Sequence, residues 1–280
     1  MVTHKRVQPA PARVDLCAHF GLHHLPFTRE LAVADRFRHP QYDELVDDLH
    51  QLVVNRLSAA VIAPAGTGKT VLLRCLRDTL PEARFRTHYM KVTDLSKRDF
   101  CREMAAALGA KTAGYYGALV RSIQDRCRNL TAAESLHPVL LIDECHDARP
   151  DVLSILRVIA NFEMDSRLVV SMVLCGQTPL RAMLRRDALE DVSRRLARVA
   201  TLRLLSRPET RDYIAHRLRL VGAQDDLLDP HAHEAIFEAT QGNLRAVDGL
   251  TLRTLQLAAA AGAKVVDAQL VTSARAQVWP

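Results

Sequence analysis

Aromatic side chains are scarce in this sequence, at 5% of 280 residues with a single tryptophan. Strands of sandwiches and barrels lean on aromatic and β-branched residues, so that composition argues against an all-β fold. Alanine, leucine and arginine are abundant instead, which suits a helix-rich α/β chain. No stretch reaches the 18 or more apolar residues of a membrane span, and nothing at the N-terminus resembles a secretory leader. A soluble, cytoplasmic protein with no membrane partner is therefore expected. The six cysteines (17, 75, 101, 127, 145 and 175) include no C-x-x-C pair, and they read as reduced, packed side chains. His19/His23 and His231/His233 have ligand-like spacing, but no cysteine or carboxylate converges on them, so surface or capping roles are expected. Cys145-His146 has no orienting group for a catalytic thiol and reads as a packed cysteine. What is present is 48% apolar residues and a net charge of +6. These allow a sizeable core and are compatible with an anionic partner.

One segment carries most of the chemistry: Val61-Ile62-Ala63-Pro64-Ala65-Gly66-Thr67-Gly68-Lys69-Thr70. Two β-prone residues run into a glycine-punctuated loop. Val71-Leu72-Leu73-Arg74-Cys75-Leu76-Arg77 then repeats its apolar residues at helical spacing. This is the strand–loop–helix of a phosphate-binding P-loop, in which backbone N–H groups and the helix N-terminus surround a polyphosphate. Residues Pro64, Ala65, Gly66, Thr67, Gly68, Lys69, Thr70 and Val71 are the candidate nucleotide cradle. Lys69 would reach the β- and γ-phosphates of ATP, and the Thr70 hydroxyl would ligate Mg²⁺. Ala63 stands where the usual pattern has its first glycine, a small change if its φ is negative.

Val139-Leu140-Leu141-Ile142-Asp143-Glu144 supplies the complement. An unbroken apolar run ending in two acids reads as a buried parallel strand whose end lies at the carboxyl edge of a sheet, where α/β proteins bind ligands. Asp143 would hold Mg²⁺ through water, and Glu144 would orient or deprotonate the attacking water. No third acid forms a metal triad with this pair, so nuclease or strand-transfer chemistry is not expected here.

The rest of the chain alternates strand and helix. Residues 1–15 are basic, 19–27 form an apolar knot, and Tyr42, Leu45, Leu49, Leu52 and Val53 have helical spacing. Pro81 stops the P-loop helix and a strand over 85–92 follows. A helix capped by Asp94 or Ser96 runs to Gly109, another covers 114–132, and Pro138 precedes the acidic strand. Pro150 opens a helix with Val152, Ile155, Leu156 and Ile159 inward. A strand over 167–175 ends in Gly176-Gln177, Thr178-Pro179 start the next helix as N-cap and first residue, and 200–205 form a last strand. This predicts an α/β fold, a three-layer P-loop core with a parallel sheet. Ser206 to Glu209 is a capping box. Beyond it only helices are expected: one to Gly222, one from Asp229-Pro230 to Gly242, one over 244–261, and one capped by Asp267. Three regions follow: a basic tail and lead-in (1–46), the P-loop core (47–205) and a small all-helical lid (206–280).

Together these features resemble the AAA+ ATPases, of the type that pairs a metal-binding Asp with a catalytic Glu, over about residues 17–278. Phe20-Gly21-Leu22 with Pro26-Phe27, Leu174-Cys175-Gly176-Gln177-Thr178-Pro179-Leu180-Arg181 and Gly242-Asn243-Leu244-Arg245-Ala246-Val247 are similar to the secretion-pathway A (ExeA-type) ATPases. Ala160-Asn161-Phe162-Glu163-Met164-Asp165-Ser166 resembles shorter relatives linked to mobile elements, the transposition regulators TnsC and TniB. The resemblance implies a sensor role toward the γ-phosphate or lytic water for Gln177 and a second sensor role for Arg245. It also implies an arginine finger at Arg195 or Arg194, completing the site of a neighbouring subunit in a ring or filament. Without the resemblance, Arg194, Arg195 and Arg198 would read as an ordinary basic helix face.

Three functions compete. The first is an ATP-dependent regulator of DNA transposition that oligomerises on double-stranded DNA and recruits or activates a transposase. In it Lys91, Lys97, Arg98, Arg121 and Arg126 would track phosphates, although each serves equally well as a solvated helix face. The second is a secretion-pathway A ATPase, whose family members continue into a membrane span and a peptidoglycan-binding region that this sequence lacks. The third is a nucleotide-gated switch for a protein partner. The first is the expectation.

Overall fold

The computed structural model describes residues 15–223 and 227–278, so most of the basic tail lies outside the described residues. The chain forms two compact units: residues 38–204, and residues 1–37 with 205–280. This division differs from the sequence-drawn boundary at 46/47, which would cut through a continuous helix. The first short helix, α1 (Leu16–Phe20), belongs to the split unit, and the Asp15 carboxylate caps its first turn.

The P-loop unit opens with α2 (Pro40–Val54), followed by β1 (Ser58–Ile62), α3 (Lys69–Thr79) and β2 (Phe85–Lys91). Then come α4 (Lys97–Leu108), α5 (Tyr116–Ala132) and β3 (His137–Asp143). Two short helices, α6 (Pro150–Leu153) and α7 (Ile155–Ile159), precede β4 (Ser171–Gly176), α8 (Thr178–Leu184), α9 (Glu190–Ser193) and β5 (Leu196–Thr201). The five strands make one sheet in the order β2-β3-β4-β1-β5, with every pair parallel. Sequence and position agree: the central strands β1, β3 and β4 are buried along their whole length, as their apolar runs require. The edge strands β2 and β5 carry exposed arginines and a lysine.

Alternate side chains divide the core into layers. Ile62, Leu140, Ile142, Met172 and Leu174 cluster with Phe100, Met104, Leu119, Ile123 and Leu130 of α4 and α5. Val61, Val139, Leu141 and Val173 are equally buried but belong to the other face, and α2 packs on α3 and on β1. Ser96 caps α4 through its hydroxyl, and Gly109 ends that helix in the left-handed conformation.

Four local expectations are corrected. The last strand is Leu196–Thr201, not 200–205. The apolar residues that suggested the later span turn away after Leu202, whose N–H donates to the Ile62 carbonyl at 2.9 Å, and Leu205 packs in the helical unit. Strand β4 starts at Ser171 rather than Arg167, although Val169 and Val170 are buried. The helix from Pro150 breaks at Ser154 into two short turns, while Val152, Ile155, Leu156 and Ile159 all face the core as expected. Pro138 lies inside β3 rather than before it, in a position where pairing to β4 has not yet begun.

The second unit is helical. It comprises α10 (Arg207–Arg219), α11 (Pro230–Thr240), α12 (Leu244–Ala260) and α13 (Ala268–Val278). The Ser206/Glu209 capping box is formed, Asp229 caps α11, Asn243 caps α12, and Asp267 receives the Leu270 N–H at 2.8 Å. Leu16, Leu22 and Phe27 of the N-terminal segment enter this core beside Ile214, Ile236, Val247 and Leu250. Arg217, only 6% exposed, bonds the Thr28 carbonyl at 2.7 Å, the Tyr213 hydroxyl and the Asp248 carboxylate. The lead-in is therefore pinned to the C-terminal helices through a buried charge cluster, which sequence spacing did not reveal.

Candidate nucleotide site

The carboxyl ends of β1, β3 and β4 finish level, because the register pairs Ile62 with Gly176 and Ile142 with Leu174. Strand β4 lies between the other two, so Gln177 emerges between the P-loop and the Asp143-Glu144 pair. The P-loop follows β1 directly. Ala63 is fully buried, its φ lies outside the left-handed region, and its N–H donates to the Gly176 carbonyl at 3.0 Å. Replacement of the usual glycine therefore introduces no strain. Gly66 (φ 76°) and Gly68 (φ 90°) adopt the positive values that the turn into α3 requires. Gly68 is the N-cap of α3, and the Thr67 hydroxyl braces the loop by donating to the Pro64 carbonyl at 2.8 Å.

Lys69 is 6% exposed, and its Nζ donates to the carbonyls of Pro64 (3.1 Å) and Ala63 (3.5 Å). Among the described residues no carboxylate pairs with it. A buried ammonium satisfied only by carbonyl oxygens favours an anion beside it. Asp143, 1% exposed, accepts from the Thr70 hydroxyl at 3.0 Å and the Tyr89 hydroxyl at 3.3 Å through one oxygen, and from the Glu144 N–H at 2.8 Å through the other. Burial, and then the Asp143 charge, push the Tyr89 phenol up to about 12, so it remains a donor at neutral pH. Glu144 takes a left-handed backbone, φ 55°, uncommon for a residue with a side chain. One oxygen of its carboxylate is buried without a hydrogen-bond partner. Strain and an unsatisfied acceptor at one residue mark a site that holds its geometry for a task.

Residues 53–184 match the family model of the AAA domain. That stretch of the chain carries an AAA domain. A curated relative, the General secretion pathway protein A of Aeromonas hydrophila, is 31% identical over 215 residues; the match covers 75% of this chain and 38% of that protein. Among solved structures, Cdc6p of Pyrobaculum aerophilum superposes with a TM-score of 0.69 at 18% identity, over 90% of this chain and 70% of that one. The Aeropyrum pernix ORC1 protein in complex with DNA gives 0.67 at 17% identity, covering 90% and 68%. These structures share the fold: a parallel five-stranded P-loop sheet with flanking helices and a helical C-terminal region.

AAA ATPase domains work with ATP and Mg²⁺, and the residues here fit both. The positive-φ glycines and the anion-seeking Lys69 suit the phosphates, while Thr70 and Asp143, already in contact, suit a hydrated cation. Two groups at this edge were given no role by the sequence. Tyr89 reaches Asp143 only because Lys91 is in register with Asp143, which places Tyr89 diagonally across from it. His146 reaches the site because a short turn, Cys145–Asp147, folds back after Glu144. Cys145 itself is fully buried, with its thiol driven far up by that burial, so it is a packed side chain. None of the other cysteines forms a disulfide, and all but Cys17 are buried. One capping expectation changes: Gln177, not Thr178, is the N-cap of α8, and its carbonyl takes the first helical bond from the Leu180 N–H at 2.9 Å.

The arginine candidates lie elsewhere. Leu196 at the start of β5 is level with Ser58 at the start of β1. Arg194 and Arg195 therefore sit at the amino edge of the sheet, opposite the P-loop, about 16 Å away along the strand. Arg195 is ion-paired with Asp165 at 2.6 Å and donates to the Asp191 carbonyl. Arg194 is 73% exposed, with Glu190 at 2.6 Å. Arg198 lies in β5 and pairs with Asp48, so the three arginines do not form one helix face. Arg245 is an exposed residue in the first turn of α12, in the other unit.

The basic residues considered for DNA are spread over three elements. Lys91 ends β2, exposed; Lys97 and Arg98 open α4, with Lys97 3.6 Å from Asp151. Arg121 lies over the Tyr115 ring and donates to its hydroxyl at 2.7 Å. Arg126 donates to the Leu108 carbonyl and pairs with Glu134. Among the described residues no helix is long and apolar enough to cross a membrane.

Proposed function

We propose that this chain is an ATP-dependent regulator of DNA transposition, which oligomerises on double-stranded DNA with ATP bound and recruits or activates a separate transposase. One observation carries the oligomeric part: Arg194 and Arg195 are at the edge of the sheet that their own P-loop does not use. A guanidinium there is useless to its own nucleotide and available to a neighbouring copy's. Such a finger offsets charge that develops on the transferred phosphoryl group.

Within one subunit the proposed roles are as follows. The N–H groups of residues 64–71 and the Lys69 ammonium bind the β- and γ-phosphates. Thr70 and Asp143 hold the hydrated Mg²⁺, which when bound neutralises phosphate charge. Glu144, with its unsatisfied oxygen, takes a proton from the attacking water. Gln177, between the two strand ends, contacts the γ-phosphate or that water, and Arg245 would report the nucleotide to the helical unit. The DNA part rests on the net charge of +6 and on solved structures of the same fold that are bound to DNA, including Aeropyrum pernix ORC1 and Drosophila ORC. Lys91, Lys97, Arg98, Arg121 and Arg126 are the contact candidates, and their attraction would weaken steeply with salt.

The relationship to the Aeromonas secretion-pathway protein supports a second reading, an ATPase serving a secretion apparatus. The chain spans 38% of that relative. The two readings separate on DNA. Glu144→Gln should bind ATP and hydrolyse it 10²–10⁴-fold more slowly, the usual worth of a general base, and so accumulate the assembled state. Lys69→Ala should do neither. Electron microscopy of the Glu144→Gln protein with ATP, with and without duplex DNA, should show rings or filaments that form on DNA. Hydrolysis and assembly indifferent to DNA would sink the transposition reading in favour of the secretion one.

A further inference from the structure

We infer that His146 is a positioning residue that couples the end of β4 at Gln177 to the carboxylate of Glu144. This rests on the base role proposed for Glu144. His146 sits in the turn that follows Glu144, where the Asp147 N–H closes on the Glu144 carbonyl at 2.9 Å. Its side chain is 11% exposed. Its Nδ1 accepts the backbone N–H of Gln177 at 3.3 Å and lies 3.4 Å from Glu144 Oε2. Its other nitrogen, Nε2, lies 3.4 Å from Asp147 Oδ1. The backbone is fitted to this contact as well: a side chain on Gly176 would come within 3.2 Å of the His146 amide nitrogen and 2.8 Å of Leu180.

A nitrogen that accepts a hydrogen bond carries no proton, so the imidazole is in the tautomer with hydrogen on Nε2. In that form it cannot donate to the nearby Glu144 oxygen. That buried oxygen has no hydrogen-bond partner, which leaves the lone pairs of Glu144 available for the proton of water. The same nitrogen is within reach of both groups and can serve only one. While the Gln177 N–H occupies Nδ1, the base is free. If Gln177 withdraws, the ring can shift its proton from Nε2 to Nδ1 and turn it toward Glu144, whose oxygen is then occupied. Gln177 lies between the P-loop and Glu144, so the histidine relays the position of the β4 end to the base with no net change in protonation.

The test compares His146→Leu, which keeps bulk without an acceptor, with His146→Asn, whose carbonyl oxygen can accept from Gln177. His146→Leu should lower kcat about 10–100-fold, the scale expected when a reacting group is held slightly out of place. Its affinity for a fluorescent ATP analogue and its thermal midpoint should stay at wild-type values. His146→Asn should recover most of kcat. In a Glu144→Gln background, His146→Leu should slow the residual hydrolysis no further. The inference is overturned if His146→Leu retains kcat, if it loses kcat only together with nucleotide affinity and thermal stability, or if His146→Asn is as impaired as His146→Leu. It is also overturned if the effect persists in the Glu144→Gln background. Near-normal turnover by Glu144→Gln alone would instead remove the base assignment on which the relay rests.

Discussion

Acidification should loosen the P-loop unit through the imidazole of His137. This residue starts β3, is 6% exposed, and bonds the Ser171 hydroxyl through Nε2 at 2.8 Å, while its Nδ1 has no partner. Burial, and secondarily the positive charge of Arg56, lowers its pKa to about 4. The unfolded chain protonates the same group near 6.5. Between those values the unfolded state binds the extra proton, so stability is complete above pH 6.5 and falls as the pH drops toward 4. From pH 7 to pH 5 about 1.5 units of that window are crossed, a loss of about 2 kcal/mol at 1.36 kcal/mol per unit. For a unit of this size that corresponds to a midpoint lower by about 4–8 °C. The strand that starts at His137 ends at Asp143, so its loosening also removes the site's buried carboxylate. Thermal unfolding followed by circular dichroism at pH 7 and pH 5 measures the effect. His88 in the same unit is shifted down by burial too and contributes in the same direction, so the comparison needs His137→Gln, which cannot titrate but can still reach Ser171. The reasoning fails if wild type and His137→Gln lose the same stability between the two pH values.

Two further predictions concern the finger and the helical unit. Arg195→Ala and Arg194→Ala should leave nucleotide binding by isolated subunits unchanged, and the one that removes the finger should lower assembly-dependent hydrolysis by about 10³–10⁵. Mixing either variant with a Lys69→Ala partner identifies it, since intact sites then form only between unlike copies, and hydrolysis unaffected by both substitutions would exclude an arginine from this edge. Gly242→Ala should destabilise the helical unit by about 2–4 kcal/mol. Its φ is +73°, an added Cβ would overlap the Leu205 carbonyl oxygen, and the Gly242 carbonyl accepts the Leu205 N–H at 3.1 Å. Chemical denaturation with an unchanged midpoint would show that the backbone yields there.

Much of the molecule is legible from local pattern, because its signals are short-range. The P-loop glycines, the apolar run before Asp143, the Ser206/Glu209 capping box and the Asp229-Pro230 start each depend on residues within a turn or a strand of one another. Expectations failed where several elements compete for the same residues. Leu202 and Leu205 looked like strand because they are apolar, yet one closes the sheet edge and the other packs among helices. The helix from Pro150 kept its inward face but broke at Ser154.

The amino-acid order alone determined the phosphate loop, the paired acids and the alternation that yields a parallel sheet, since backbone propensity and hydrophobic period act along the chain. Only the tertiary structure decided which distant groups meet. Register set Tyr89 against Asp143, a left-handed residue and a tight turn brought His146 between Glu144 and Gln177, and the parallel register of β5 on β1 put Arg194 and Arg195 on the edge opposite their own loop. Those contacts are made across strands, where separation in sequence carries no information about separation in space.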